Sequence, residues 1–301
     1  MEKKWEQMTS DERQEAMFQR WLSPKTPDGQ DVKFQSLEAE KSYQARATRI
    51  KDAIQMKRLP DRVPVFLLPN FYPAVYAGLT PKDLMYDYEK CHNAFKKFYL
   101  DFDGDGQMGM AGPGPGKLFD ILDYKLYAYP GHGVSPEHSY QCIEGEYMTV
   151  DEYDLLIHDP TNFFHTRFMP RIYGALEPLK NIANPPMNTV EMYGGAAPFI
   201  PYGIPPVQAA YKAILEAGNE AMKWVQASGA FNGEMTSLGF PGLVGGFAKA
   251  PFDTIGDTLR GTKGIMTDMY RNPGKLLEAM DVLTPIWINT GVGMTQMNGN
   301  P

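Results

Sequence analysis

Cysteine is scarce in this 301-residue chain: Cys91 and Cys142 are the two present, too few for a disulfide framework. Long apolar runs are missing as well. No stretch approaches the roughly 20 residues that a membrane-spanning helix needs, and the polar start MEKKWEQMTS lacks the apolar core of a signal peptide. Positive charge is in deficit, with 29 basic against 36 acidic residues and a net charge of -7. That balance removes the counterion-releasing grip through which nucleic acid or an anionic membrane is bound. HExxH, GxSxG and CxxC are absent, so hydrolase and thioredoxin-type readings have no support. Internal repeats and low-complexity tracts are also absent. Together these absences predict a soluble, cytoplasmic protein with neither nucleic acid nor membrane as a partner.

What is present is the balance of a folding chain, 43% hydrophobic, 22% charged and 12% aromatic. Its length suffices to bury roughly three quarters of the unfolded surface. Thr9 stands three residues before Glu12, a capping-box spacing. Met17, Phe18, Trp21 and Leu22 fall on one stripe, which predicts a helix over 9–22 ended by Ser23-Pro24. A Pro- and Gly-containing connector runs on to about Gln35, so residues 1–35 read as a helical extension docked on a body of residues 36–301. A charged helix is predicted over 37–58, with Tyr43, Ala47, Ile50 and Ile54 as its apolar face. Thr80-Pro81 opens another, carried by Leu84, Tyr88, Cys91, Phe95 and Phe98 as far as Asp101. Thr149 and Glu152 repeat the capping box ahead of DEYDLLIHD. Val207 to about Ala227 is helical by periodicity, as is the last segment with Leu276, Leu277, Met280, Leu283 and Trp287 on one side.

Between the helices lie strand candidates. VPVFLLP, after Arg62, is a short apolar run bounded by prolines, the pattern of a strand buried on both faces of a parallel sheet. Further strands are expected over Phe102–Met110 and Tyr140–Tyr147, and a strand or short helix over Leu118–Tyr129. Residues 194–206 carry too much Gly and Pro for regular structure. Strands alternating with helices predict an α/β fold with parallel strands, in an open sheet or a barrel.

Few motifs carry chemistry. Asp101-Phe-Asp103-Gly-Asp105-Gly106 imitates the start of a calcium-binding EF-hand loop, but Gly112 occupies the twelfth position, where a bidentate glutamate closes such loops. A turn is the plain alternative; the functional one is that Asp103 or Asp105 faces a pocket at a strand end. Gly112-Pro-Gly-Pro-Gly-Lys117 fails as a phosphate loop, because Ala111 and Leu118 replace its glycine and hydroxyl residue and two prolines remove amide donors. Cys91 and His92, adjacent on a helix, point in different directions. Among the five histidines, His132 lies between Gly131 and Gly133, which can present its imidazole to a ligand.

Leu59-Pro-Asp-Arg-Val-Pro-Val65 resembles the opening strand of the uroporphyrinogen decarboxylase superfamily, which also contains methylcobalamin:coenzyme M methyltransferases. Leu118-Phe119-Asp120-Ile121-Leu122 resembles the segment holding that family's pocket aspartate. Gly246-Phe247-Ala248-Lys-Ala-Pro251-Phe252 resembles its GFxGAPxT segment, and Tyr270-Arg-Asn-Pro273-Gly-Lys-Leu-Leu277 the helix after it. The likeness covers about Arg58 to Thr290. It implies a TIM (β/α)8-type barrel, incomplete in this chain, with the N-terminal helical extension attached.

Departures from the family pattern bear on the substrate. Two arginines that bind substrate carboxylates in the decarboxylases match Pro69 and Pro73 here, and only a guanidinium fork makes such bidentate contacts well. The tyrosine of the GFxGAPxT segment falls at Asp257, a like charge for a polycarboxylate. Asp120 carries over, as acceptor for pyrrole N–H groups. The resemblance therefore implies an enzyme acting on a tetrapyrrole-related or corrinoid-linked substrate, with corrinoid-dependent methyl transfer preferred to a decarboxylase-type lyase and a non-catalytic tetrapyrrole- or partner-binding module as the alternative from another class. Asp120, Asp257 and His132 are the catalytic candidates; Asp103, Asp105, Asn70 and Phe252 are the ligand-binding ones. The methyltransferases hold zinc with a His-x-Cys pair and a later cysteine; His-x-Cys is absent here, so no metal or cofactor is assigned to this chain alone. Zinc and a corrinoid would belong to a full-length methyltransferase. The expected partners are a corrinoid protein, the second half of the barrel, or a second copy in a homo-oligomer.

Overall fold

In a computed structural model, residues 4–26, 28–182, 192, 195 and 197–298 are described. Side-chain caps start five of the helices. Thr9 accepts from the Glu12 N–H while the Glu12 carboxylate accepts from the Thr9 N–H at 2.8 Å, opening α1 (Ser10–Leu22). Ser36 caps α2 (Leu37–Gln55). After the short α3 (Tyr72–Tyr76), Thr80 caps α4 (Pro81–Tyr86), with proline at the first helical position. The one helix expected as far as Asp101 is interrupted at Asp87, whose backbone is extended and whose carboxylate accepts from the Lys90 N–H to start α5 (Tyr88–Phe102). A short acidic side chain that bonds its own backbone competes with helix continuation.

α6 (Gly116–Leu122) leads into β1 (Tyr127–Pro130), β2 (Gly133–Val134) and β3 (Gln141–Cys142). The Thr149–Glu152 cap precedes α7 (Tyr153–His158), and a π-helical turn over Phe164–Phe168 separates α8 (Pro160–Phe163) from α9 (Met169–Ile172). The helix expected over 207–227 is α10 (Pro205–Ser237). It continues through Gly229 and Gly233 because Phe231 and Met235 are fully buried, and that burial outweighs the cost of glycine in a helix. α11 (Pro251–Asp253) passes through a π-helical stretch, Thr254–Arg260, into α12 (Gly261–Arg271), and α13 (Pro273–Asn298) follows. No helix among the described residues is long and apolar enough to cross a membrane.

The chain forms two compact units. The first takes the described residues of 1–114, 224–247 and 290–301, the second those of 115–223 and 248–289. In the first, Phe18 and Trp21 of α1 pack on Tyr43, Ala47 and Ile50 of α2, and the Tyr43 hydroxyl donates to the Trp21 carbonyl at 2.8 Å. The same unit buries Cys91, Phe95 and Phe98 of α5 together with Phe231. Two clusters make the core of the second unit. One joins α7 to α9 with Ile255, Leu259, Ile265 and the Leu276, Ala279 and Leu283 stripe of α13, and the other packs α6 and Leu176 against Val207 and Ala210.

The strand expectations fare differently from the helical ones. The structure is mostly helical, with one mixed sheet of three short strands among the described residues, in the order β2-β1-β3. β1 pairs parallel with β2 and antiparallel with β3. A parallel barrel is not what these strands form. VPVFLLP is no strand, with Val63 79% and Leu68 68% exposed. Its Val65 N–H donates to the Asp105 carboxylate at 2.6 Å and its Val65 carbonyl accepts from the Asp105 N–H at 2.9 Å, so a side chain supplies one of the bonds that a ladder would make. Phe102–Met110 is likewise mostly loop, touching residues 241–243 through a single parallel bridge, Gln107 with Gly242. Of Tyr140–Tyr147 only Gln141–Cys142 is strand. Within 194–206, Ala197–Gly203 is a 3₁₀ helix rather than irregular, and residues 194 and 196 lie outside the described set.

Candidate functional site

Two of the residues singled out from sequence meet in the second unit. Asp120 sits in the last turn of α6, which ends where Asp123 turns left-handed at φ 51°. His132 stands at the tip of the turn between β1 and β2. Gly131 and Gly133 both adopt φ +84°, a region that favours glycine, and a Cβ on Gly133 would lie 2.8 Å from the Ala128 Cβ. The Tyr129 N–H donates to the His132 carbonyl at 2.8 Å and the His132 N–H to the Tyr129 carbonyl at 2.7 Å. This reciprocal pair folds the imidazole back onto Tyr129, and the two rings stack with centroids 4.6 Å apart.

Both side chains then converge on one carboxylate oxygen. The Tyr129 hydroxyl donates to Asp120 Oδ1 at 2.9 Å, and His132 Nε2 lies 3.1 Å from the same atom. The cluster is open: Asp120 and His132 side chains are 37% and 43% exposed. A carboxylate oriented by a phenol and an imidazole can accept an N–H or carry a cation, and it can pass a proton to or from the ring beside it.

Aromatic rings continue from this cluster. Phe119 lies 5.5 Å from Tyr129 and stacks on Tyr124 at 4.9 Å, and Tyr124 stacks in turn on Tyr173 and Tyr127. Burial pushes the hydroxyl pKa values of Tyr124, Tyr127 and Tyr173 upward, so these phenols stay neutral. For Tyr127 the charges of Cys142, Tyr140 and Asp257 add to the burial. Asp257 thus lies within electrostatic reach of the aromatic row, and its carboxylate is paired with Lys249 and accepts from the Thr258 hydroxyl. Phe252 belongs to the same unit, in α11, and is partly exposed.

The other candidates belong to the first unit. Asp105 is fully buried and accepts from Arg49, from both terminal nitrogens of Arg62 at 2.7 and 2.6 Å and from the Val65 N–H. Arg49 also forks onto Asp61, with both bonds at 2.6 Å. Asp103, left-handed at φ 49°, pairs with Arg46. The EF-hand-like run is therefore a turn whose second and third acidic residues hold arginines of α2 and of the 61–70 segment. Asn70 is left-handed at φ 51° and its Oδ1 is buried without a hydrogen-bond partner.

Tyr129 and Phe119 were not singled out from sequence. The signal for Tyr129 is the alternation of Tyr127 and Tyr129 in a short strand; that for Phe119 is its place beside Asp120. Arg46 and Arg49, two charged residues on the apolar stripe of α2, were the sequence signal of a buried ion network. Among the described residues no group of three or more His, Cys, Asp or Glu side chains is placed to hold a metal. Comparison with protein-family models, curated proteins and solved structures finds no significant match to this chain.

Proposed function

We propose that the chain is an enzyme of the uroporphyrinogen decarboxylase superfamily and that its second unit binds a tetrapyrrole-related or corrinoid-linked substrate at Asp120. One observation carries this reading: the aspartate matched to the family's pocket residue has its Oδ1 addressed by Tyr129 and His132, next to a row of stacked rings. A carboxylate held in place accepts macrocycle N–H groups, and aromatic faces suit a flat ring system. Methyl transfer is preferred to decarboxylation because the positions of the carboxylate-binding arginines are the buried prolines Pro69 and Pro73.

The zinc site of the methyltransferases does not fit the residues described. Cys91 is buried, with its thiol pushed up to about 12 by that burial, and His92 beside it contacts Glu234 at 2.5 Å. The openness of the Asp120 cluster favours a second reading, a binding module without turnover, since reaction chambers exclude water and this cluster does not.

Titration with hydroxocobalamin and with uroporphyrin, followed by absorbance, tests the binding. Asp120→Ala should weaken macrocycle binding about tenfold, the loss of a charge-assisted hydrogen bond; unchanged affinity would remove Asp120 from the site. Methylcobalamin with an acceptor thiol then separates the readings. Turnover supports methyl transfer, binding alone supports the module, and turnover on uroporphyrinogen alone overturns the preference for methyl transfer.

A further inference from the structure

One face of α12 carries Lys263, Met266, Thr267, Tyr270 and Arg271, the i, i+3, i+4, i+7, i+8 set that shares a helix side. With Glu144 at one end, these residues line an open cleft of about 610 Å³. Tyr270 is 83% and Met266 57% exposed, an amount of bare apolar surface that marks a contact site when it is contiguous and rimmed by charge. The two cations are eight residues apart, about 12 Å along the axis at 1.5 Å per residue.

Most basic side chains of this unit are paired, as Lys275 is with Asp154, Arg171 with Glu152 and Arg260 with Asp268. Lys263 and Arg271 have no ion-pair partner among the described residues. Glu144, the carboxylate that lines the cleft, accepts from the Thr262 N–H at 2.7 Å and so caps the helix. In a chain of net charge -7, this face thus offers two cations without an ion-pair partner among the described residues, against one carboxylate engaged at the helix start, and they flank exposed apolar groups.

We propose that this face docks an acidic amphipathic helix of a partner protein. Two of its carboxylates, about two turns apart, meet Lys263 and Arg271, and apolar side chains between them cover Met266 and Tyr270. Charge complementarity selects the partner, and the apolar contact adds area. This inference is independent of the reading of Asp120, which lies outside the α12 face.

The probe is a fluorescein-labelled 17-residue peptide of alanine, leucine and glutamate, with two glutamates eight residues apart and leucines between them on the same face. Anisotropy with the full chain should show saturable binding that weakens as salt rises. Lys263→Glu and Arg271→Glu should each weaken it about tenfold. The peptide with glutamine in place of glutamate should lose as much, a control that needs no variant protein to fold. Absence of binding, equal affinity of the glutamine peptide, or unchanged affinity of a folded K263E/R271E double variant would each overturn the proposal. So would concentration-dependent self-association that Arg271→Glu abolishes, because the occupant would then be a second copy.

Discussion

Asp105→Asn is the most informative single change in the first unit. The carboxylate is fully buried and meets Arg49, Arg62 and the Val65 N–H, so it joins α2, the 61–70 segment and the loop after α5. Removing one partner of a buried pair costs about 3–5 kcal/mol because the other charge is left without compensation. Two features put this site at the low end. Arg49 keeps its fork on Asp61, and Arg62, with its side chain 47% exposed, can turn to water. The expected loss is therefore ~3 kcal/mol. With a urea m-value of ~2 kcal/mol/M for a unit of this size, the midpoint falls by ~1.5 M. Urea unfolding followed by tryptophan fluorescence reads it, since Trp21 is buried in the same unit. A midpoint shift below ~0.5 M would refute the argument, showing that the asparagine amide replaces the carboxylate or that the three segments are held by other contacts. Arg62→Met should cost much less, because water already reaches that guanidinium.

Gly239 lies at φ +92°, and a Cβ there would stand 2.4 Å from the Ala39 carbonyl oxygen. Gly239→Ala should thus destabilise the first unit by roughly 2–4 kcal/mol, read as a lower melting temperature by circular dichroism. Lys51 beside Glu15, Arg49 beside Asp61 and Lys90 beside Asp83 hold those three carboxyls down to about 2. Their ordinary values are 4.5, 3.8 and 3.8. A depressed folded-state pKa adds stability that is complete above the unfolded value, so urea midpoints should be level above about pH 5 and fall as the pH drops from about 4.5 towards 2. High salt should shrink that acid dependence, since water reaches the carboxylate of each pair. Ellman's reagent should modify one thiol in the native protein and two after denaturation, because Cys142 is exposed while Cys91 is buried and its thiol pushed up to about 12.

Several helices were legible in the sequence because their signals are local. Thr9 with Glu12, Thr80 ahead of Pro81 and Thr149 with Glu152 all cap where spacing places them, and Tyr43, Ala47 and Ile50 of the expected stripe form the buried face of α2, while Ile54 at its end is exposed. Gly131 and Gly133, read from sequence only as freeing His132, both take a left-handed backbone. Strands were not legible in the same way. VPVFLLP has the composition of a buried strand, yet a strand needs neighbours that supply its ladder, and composition does not say whether they are there. At Val65 a carboxylate from forty residues away takes part of that place.

The candidate site divides along the same line. Sequence alone selected Asp120 and His132, the first by resemblance and the second by its flanking glycines, without placing them together. Only the turn that stacks His132 on Tyr129 brings both to one oxygen of Asp120. Asp103 and Asp105 looked like ligand-binding groups because an acidic run reads the same whether it meets a cation from solution or an arginine of its own chain. Which one it meets depends on how α2 lies against that run, a long-range contact that no local pattern encodes.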